Sequence, residues 1–189
     1  MAARRWHPHV TDELGGRTVA VVGLGTIGEA IAERLVGWDT TVIGLTRSPQ
    51  RYQGGIRDVR PLSALREACE EASVLVLAVP STAETRHLVG AAELDALGDG
   101  WLVNVARGAV VDEQALVARL ADGRLRGAGL DVTEVEPLPV DSPLWELPNA
   151  VISPHRAGLS PGYGAHFARL FAANLAAHRG AGTWRNRVC

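Results

Sequence analysis

Apolar residues come in short, nearly unbroken runs at residues 18–22, 40–45, 73–79, 101–105, 127–132 and 150–153. Valine, leucine, isoleucine and alanine dominate these runs with little polar alternation. Strands covered on both faces of a sheet read this way. Between the runs, residues 27–36, 62–71, 83–97 and 112–120 carry apolar positions at helical spacing. Ile27, Ala30, Ile31 and Leu35, for example, share one predicted face. Strand alternating with helix predicts an α/β fold with a doubly wound parallel sheet. A last amphipathic helix, residues 160–178, places Phe167, Leu170, Phe171 and Leu175 on one stripe. The segment 134–148 contains Pro137, Pro139, Pro143 and Pro148 and predicts a surface loop. Residues 1–17 are polar and mixed, and end in the turn signal Gly15-Gly16.

The first strand runs directly into Gly23-Leu24-Gly25-Thr26-Ile27-Gly28, and a helix follows. The G-x-G-x-x-G spacing is weak alone, but between strand and helix it has a physical meaning. Gly23 permits the tight turn, Gly25 lets a pyrophosphate approach the backbone, and Gly28 lets helix and strand pack closely. The amides of Thr26 and Ile27 then face phosphate from a helix N-terminus. This predicts a Rossmann-type dinucleotide site. An NAD site would place an acid after the second strand, where a carboxylate accepts from the adenosine ribose hydroxyls. The residues there are Thr46-Arg47-Ser48, with Arg51 nearby and no Asp or Glu between them. Two hydroxyls and a guanidinium suit a 2′-phosphate, which favours NADP over NAD.

Composition narrows the function classes. Of 189 residues 47% are hydrophobic, and 19 basic against 21 acidic residues give a net charge of −2. With no basic excess, bulk electrostatic binding to nucleic acid is not expected. All the basic residues are arginine. No apolar run approaches the roughly 20 residues of a membrane span, so no membrane partner is expected. Cys69 and Cys189 do not form a disulfide framework, which fits a reducing, cytoplasmic setting. Glu67, Glu70 and Glu71 surround Cys69 and disfavour its thiolate. His7-Pro8-His9 alone supplies too few ligands for a metal, and none is expected.

Three polar residues fall at or just past predicted strand ends, where open α/β sheets bind ligands. They are Arg107, Glu136 (in the loop after Asp131) and His155. Beside a nicotinamide, such a trio would make a reductase. Arg107 would hold a substrate carboxylate and His155 would donate a proton, with Glu136 raising the imidazole pKa. The same residues also read as a helix-capping Arg, a solvated loop Glu and a packed turn His. The spacing alone leaves both readings open.

Five motifs, in order, resemble the NAD(P)-dependent D-isomer-specific 2-hydroxyacid dehydrogenases, the glyoxylate/hydroxypyruvate reductase branch in particular. They are Val21-Val22-Gly23-Leu24-Gly25-Thr26-Ile27-Gly28, Pro80-Ser81-Thr82-Ala83-Glu84-Thr85-Arg86, Asn104-Val105-Ala106-Arg107-Gly108, Gly129-Leu130-Asp131-Val132 with Glu136-Pro137-Leu138-Pro139, and Ser153-Pro154-His155-Arg156-Ala157-Gly158. The resemblance implies that Arg107, Glu136 and His155 are catalytic and that Asp131 lies near the nicotinamide. It implies Pro80 and Thr85 by the adenosine half, with Val79, Ala106, Arg107, His155 and Ala157 also contacting cofactor. Arg156 departs from the family pattern; a like charge there would oppose protonation of His155, an effect that vanishes when the Arg side chain points to water.

The organisation expected is an arm (1–17), an NAD(P)-binding domain (18–159), and a C-terminal helix and tail (160–189) left from a substrate domain. Most of the family's substrate domain, which precedes the first strand, is expected to be missing. The expected partners are a small 2-oxo acid and a second copy of the chain. Two functions stand open. One is an NADP-dependent oxidoreductase acting on a small 2-oxo or 2-hydroxy acid. The other is a dimeric dinucleotide-binding module without turnover, or a degenerate dehydrogenase.

Overall fold

The computed structural model describes residues 11–186. The chain forms two compact units, one ending at Pro154 and the other beginning at His155. The first is built on seven strands: β1 (Thr18–Val22), β2 (Thr41–Thr46), β3 (Asp58–Pro61), β4 (Val74–Leu77), β5 (Trp101–Asn104), β6 (Gly127–Leu130) and β7 (Ala150–Ile152). They make one sheet in the order β3-β2-β1-β4-β5-β6-β7, with every neighbouring pair parallel. β1 lies inside it, Val19 pairing with Val42 on one side and Val74 on the other. This is the α/β, Rossmann-like sheet that the patterning predicts. Parallel neighbours cannot be joined by tight hairpins. The longer connections carry α1 (Thr26–Val36), α2 (Leu65–Glu71), α3 (Ala91–Leu97) and α4 (Glu113–Ala121).

The unbroken apolar runs follow from two covered faces. Ala20 and Val22 of β1 join Ile43, Leu45, Leu75, Leu77 and Leu102 in one buried cluster, which α2, α3 and α4 cover through Leu65, Ala68, Leu94, Leu97, Leu116 and Leu120. Val19 and Val21 point the other way, into a smaller cluster with Val42, Val76 and Ala32 of α1. Alternate residues of each strand therefore need apolar side chains for different partners. Burial also pushes the Cys69 thiol up to about 12, so it is inert, as its place on a covered helix face requires.

Several elements depart from the patterning. On α1, Gly28, Ile31, Ala32 and Leu35 face the sheet, while Ile27 is 63% exposed. The stripe is thus rotated from the one predicted, because Gly28 rather than a larger residue must abut the strand turn. The helix expected over 83–97 is reduced to α3, Ala91–Leu97. Ahead of it the chain turns, held by the Thr85 hydroxyl, which donates to the Pro80 carbonyl (2.7 Å) and accepts from the Thr82 amide (2.8 Å). A hydroxyl that competes for backbone groups in this way disfavours helix. β3 gave no apolar signal, since Asp58-Val59-Arg60-Pro61 forms a sheet edge. A proline and charges are tolerated there because one side of the ladder is unpaired.

Residues 11–17 are joined to the sheet body: Gly16 donates to the Asp39 carbonyl, Thr41 donates to that of Arg17, and Leu14 packs on the smaller cluster. The first unit ends at Pro154, just past β7, which closes the sheet at Ile152. The second unit contains α5 (Tyr163–His178). The α5 residues Phe167, Phe171 and Leu175 are exposed, and Leu170 is half-buried. The Asn174 amide pairs with both backbone groups of Arg185, which folds the tail back along the helix. Among the described residues no helix is long and apolar enough to cross a membrane. His7, His9 and Cys189 lie outside the described residues.

Arg60 fastens the β3 edge to α2. Its guanidinium donates to both oxygens of Asp58 (2.9 and 2.7 Å) and both of Glu71 (2.6 and 2.9 Å). Those bonds hold both carboxyls below the usual carboxylate range. Groups with lowered folded-state pKa values stabilise the fold above that range, and lose the contribution as pH falls through it. Arg60→Ala should therefore be less stable than the parent at neutral pH, and the gap should close as the medium is acidified. Urea unfolding across a pH series measures this; a gap that persists in acid contradicts it.

Candidate functional site

The glycine-rich turn passes from β1 to α1 at the carboxyl ends of the central strands. Gly23 has a φ of +96°, and its amide donates to the Leu45 carbonyl of β2 at 2.7 Å. A Cβ on Gly23 would stand 2.6 Å from the Ala78 carbonyl oxygen, and one on Gly28 only 1.7 Å from the Gly23 oxygen. Neither position has room for a side chain. Gly25 is the opposite case, since a Cβ there would meet nothing within 4 Å. It is the N-cap of α1, and no side chain caps the helix. The first-turn amides, those of Thr26 and Ile27 among them, are thus presented at an open surface together with the positive end of the helix dipole. A pyrophosphate fits such a cradle, because it can approach the backbone at Gly25 and accept from those amides.

A cleft of about 280 Å³ runs from this turn. Gly23 and Gly25 form its base, Thr46 and Arg47 one flank, and Val79, Pro80 and Thr85 the other. It lies where β2 and β4 leave β1 on opposite sides, the switch point at which open α/β sheets bind ligands. Leu24, Leu62 and Thr82 also line it; Leu24 and Thr82 stood inside the motifs without an assigned role, and Leu62 lay outside them. Thr85 is buried and its hydroxyl is engaged by Pro80 and Thr82, so it shapes the wall. Ser48 lines an adjoining compartment of about 460 Å³ together with Arg51.

Arg107 and Glu136 come together in a further cleft of about 270 Å³, which Ser81 and Glu134 also line. Asn104, the last residue of β5, sets the exit of that strand. Its side chain accepts from the Ala106 amide (3.0 Å) and donates to the Arg107 carbonyl (3.1 Å). Gly108 allows the next turn to lie against the backbone of Thr133 and Glu134, where a Cβ would stand 1.9 Å from the Thr133 oxygen. On the facing loop, Glu136 accepts from the Thr133 amide at 3.2 Å. Asp131 is buried at the end of β6, its amide bonded to the Asn104 carbonyl and its carboxylate accepting from the Ser153 hydroxyl. His155, with a φ of +52°, and Ala157 belong to the second unit. Arg156 accepts there, through its carbonyl, from the Leu159 amide.

Three contributors were not identified from the sequence. Asn104 carried a signal, since an Asn closing a strand commonly bonds the backbone just beyond it. Ser153 stood only as the first residue of the last motif, with no role of its own, and Glu134 carried no signal. Glu134 is held by Arg86 (3.2 Å) and His87 (2.9 Å), while its amide donates to Glu113 at 2.8 Å; these partners are distant in sequence.

A parallel sheet whose switch point opens on an uncapped, glycine-edged helix N-terminus defines a dinucleotide-binding domain. The chain belongs to the D-isomer specific 2-hydroxyacid dehydrogenase family, whose NAD binding domain is matched by residues 1–157. It is 38% identical over 180 residues to a glyoxylate reductase of Korarchaeum cryptofilum, covering 92% of this chain and 53% of the relative. The chain thus spans about half the length of that relative. It is also similar to the crystal structure of a D-isomer specific 2-hydroxyacid dehydrogenase family protein from Aeromonas salmonicida, with a TM-score of 0.87 at 34% identity, covering all of this chain and 60% of that one. A family member from Xanthobacter autotrophicus, solved in complex with NADPH and MES, gives a TM-score of 0.83 at 35% identity, covering 100% of this chain and 77% of that one.

Gly25 separates the cradle from the fold. Because its missing Cβ faces open space, Gly25→Val should leave the thermal transition within a few degrees of the parent, a shift worth under about 1 kcal/mol. It should abolish dinucleotide binding, read by calorimetry. Retained binding in a folded variant would place the phosphates elsewhere.

Proposed function

We propose that the chain serves an NADP-dependent oxidoreductase of a small 2-oxo or 2-hydroxy acid, of glyoxylate or hydroxypyruvate type. The observation that carries this is the flank of the phosphate cleft. Arg47 lines it beside Thr46, and among the described residues the lining contains no acidic side chain. A guanidinium and a hydroxyl recognise a phosphate monoester, whereas a bare diol calls for a carboxylate. The glyoxylate reductase relative and the NADPH in the Xanthobacter structure support the same reading.

When bound, the nicotinamide supplies the hydride, which goes to the carbonyl carbon of the acid. The residues of this chain do the rest. Arg107 pairs with the substrate carboxylate and polarises the carbonyl; its placement is fixed by the Asn104 bonds at the end of β5. His155 gives its proton to the carbonyl oxygen, which becomes the hydroxyl of the product. Glu136 lines the same cleft as Arg107 and is itself oriented by the Thr133 amide. The overall balance is 2-oxo acid, NADPH and a proton to 2-hydroxy acid and NADP. The exposed α5 stripe at Phe167 and Phe171 suits a homodimer contact.

A second reading is a dinucleotide-binding module without turnover, since the first unit by itself builds the dinucleotide cleft. Calorimetry with NADPH and NADH, followed by absorbance assays with a panel of 2-oxo acids, separates the two. The reductase reading expects NADPH to bind more tightly than NADH. It expects turnover with glyoxylate or hydroxypyruvate that is lost in His155→Gln while NADPH still binds. Arg47→Asp should weaken NADPH by about tenfold or more and leave NADH nearly unchanged. Tight NADPH binding with no turnover on any acid would establish the second reading, and equal loss of both cofactors in Arg47→Asp would show the 2′-phosphate misplaced.

A further inference from the structure

The compartment beside Arg47 presents a contradiction. Its lining includes Ser48 and Arg51, suited to phosphate, but also the carboxylate of Glu29 from the first turn of α1. It shares Leu24 and Thr46 with the dinucleotide cleft, so a 2′-phosphate at Arg47 would lie at its mouth. An acid in that place should repel a phosphate dianion and favour an unphosphorylated ribose.

Glu29 does not stand bare. The phenol of Tyr52 donates to its Oε1 at 3.0 Å, and the Ile56 amide donates to the phenol oxygen at 3.3 Å. The amide occupies a lone pair of the phenol and leaves its hydrogen for the carboxylate. Burial raises the Tyr52 pKa above its ordinary value, so the group stays a donor through the neutral range. The ring packs against the apolar cluster beneath α1. Gly54 closes over the pair, where a Cβ would stand 1.7 Å from Glu29 Oε1 and 2.1 Å from the phenol oxygen. The loop is thereby tied to α1, and with it the turn Pro49–Arg51 that precedes Tyr52.

We propose that Tyr52 and Glu29 form a specificity-setting pair, in which the phenol caps the carboxylate and braces the Arg51 turn so that this compartment accepts a 2′-phosphate. The inference rests on the placement of that phosphate at Arg47. Neither residue is catalytic; both act on the charge that the cofactor meets. The cap withdraws negative potential by committing one carboxylate oxygen to a donor, an effect that is electrostatic and screened by salt.

The test is a double-mutant cycle read by calorimetric NADPH and NADH affinities. Tyr52→Phe keeps the ring and removes the donor. It should weaken NADPH by about fivefold at low salt, with NADH changed little, and the loss should shrink at high salt. Glu29→Gln should bind NADPH at least as tightly as the parent. The double variant should recover most of the affinity lost in Tyr52→Phe, because no charge remains to cap. An equal loss of both cofactors in Tyr52→Phe, or no recovery in the double variant, overturns the proposal in favour of a purely structural brace. Weaker NADH binding in Glu29→Gln overturns it differently, making Glu29 the acid that grips the ribose. If Tyr52→Phe fails to fold, the test passes to Glu29→Gln, and NADPH binding weaker than the parent's there overturns the proposal. If the parent binds NADH more tightly than NADPH, the cofactor reading itself fails, before any variant is compared.

Discussion

The structure turns on a contact between two stretches of backbone. At Gly23 and Gly28 the turn leaving β1 and the first turn of α1 approach so closely that a Cβ on Gly28 would lie 1.7 Å from the Gly23 oxygen. That approach fixes the direction of α1 from its first residue. It lays Ala32, Ile31 and Leu35 on the sheet and points the uncapped end of the helix at the switch point. The phosphate cradle is therefore a by-product of helix–strand packing, and the same glycines that permit the packing leave amides for a ligand. The exposure of Ile27 belongs to the same geometry, since the helix rolls until its smallest residue meets the strand turn.

Around this contact, polar side chains set the loops by bonding nearby backbone. Thr85 ties the turn after Pro80, Asn104 the exit from β5, and Glu136 is anchored by the Thr133 amide. Each bond satisfies a group that would be costly to leave unpaired near the interior. Each also removes conformational freedom from a segment that lines a cleft. Site residues carried on such segments stand on a rigid frame, and a positioned group needs that more than it needs any single strong bond. The Tyr52–Glu29 bond extends the pattern to the loop after β2.

The surface charges do other work. Arg119 and Arg124 share Asp95, and Arg126 is paired with Asp99 and Asp12, linking α4 and the segment after it to α3 and to the start of the chain. Exposed pairs of this kind contribute little singly, and networks of planar guanidinium forks contribute more by fixing orientation. Such pairing uses arginine as a structural cation, while Arg47 and Arg107 line clefts. The all-arginine composition thus serves two purposes that a residue count cannot separate.

Much of this was readable along the chain. The apolar runs located six of the seven strands, because a parallel sheet buries both faces and leaves no polar alternation to obscure them. The glycine spacing located the cradle, because only glycine survives a backbone contact of that kind. Arg107 and Glu136 were visible as polar residues near strand ends, and they line one cleft. What the sequence alone determined was local periodicity and steric necessity. It did not determine β3, whose Asp58 and Arg60 make sense only at a sheet edge, beside a Glu71 brought from another helix. Nor did it determine the short span of α3, the company of Glu134, or the phenol over Glu29. Each of these depends on partners far apart in sequence, and periodicity along the chain contains no information about which distant groups the tertiary fold will bring into contact.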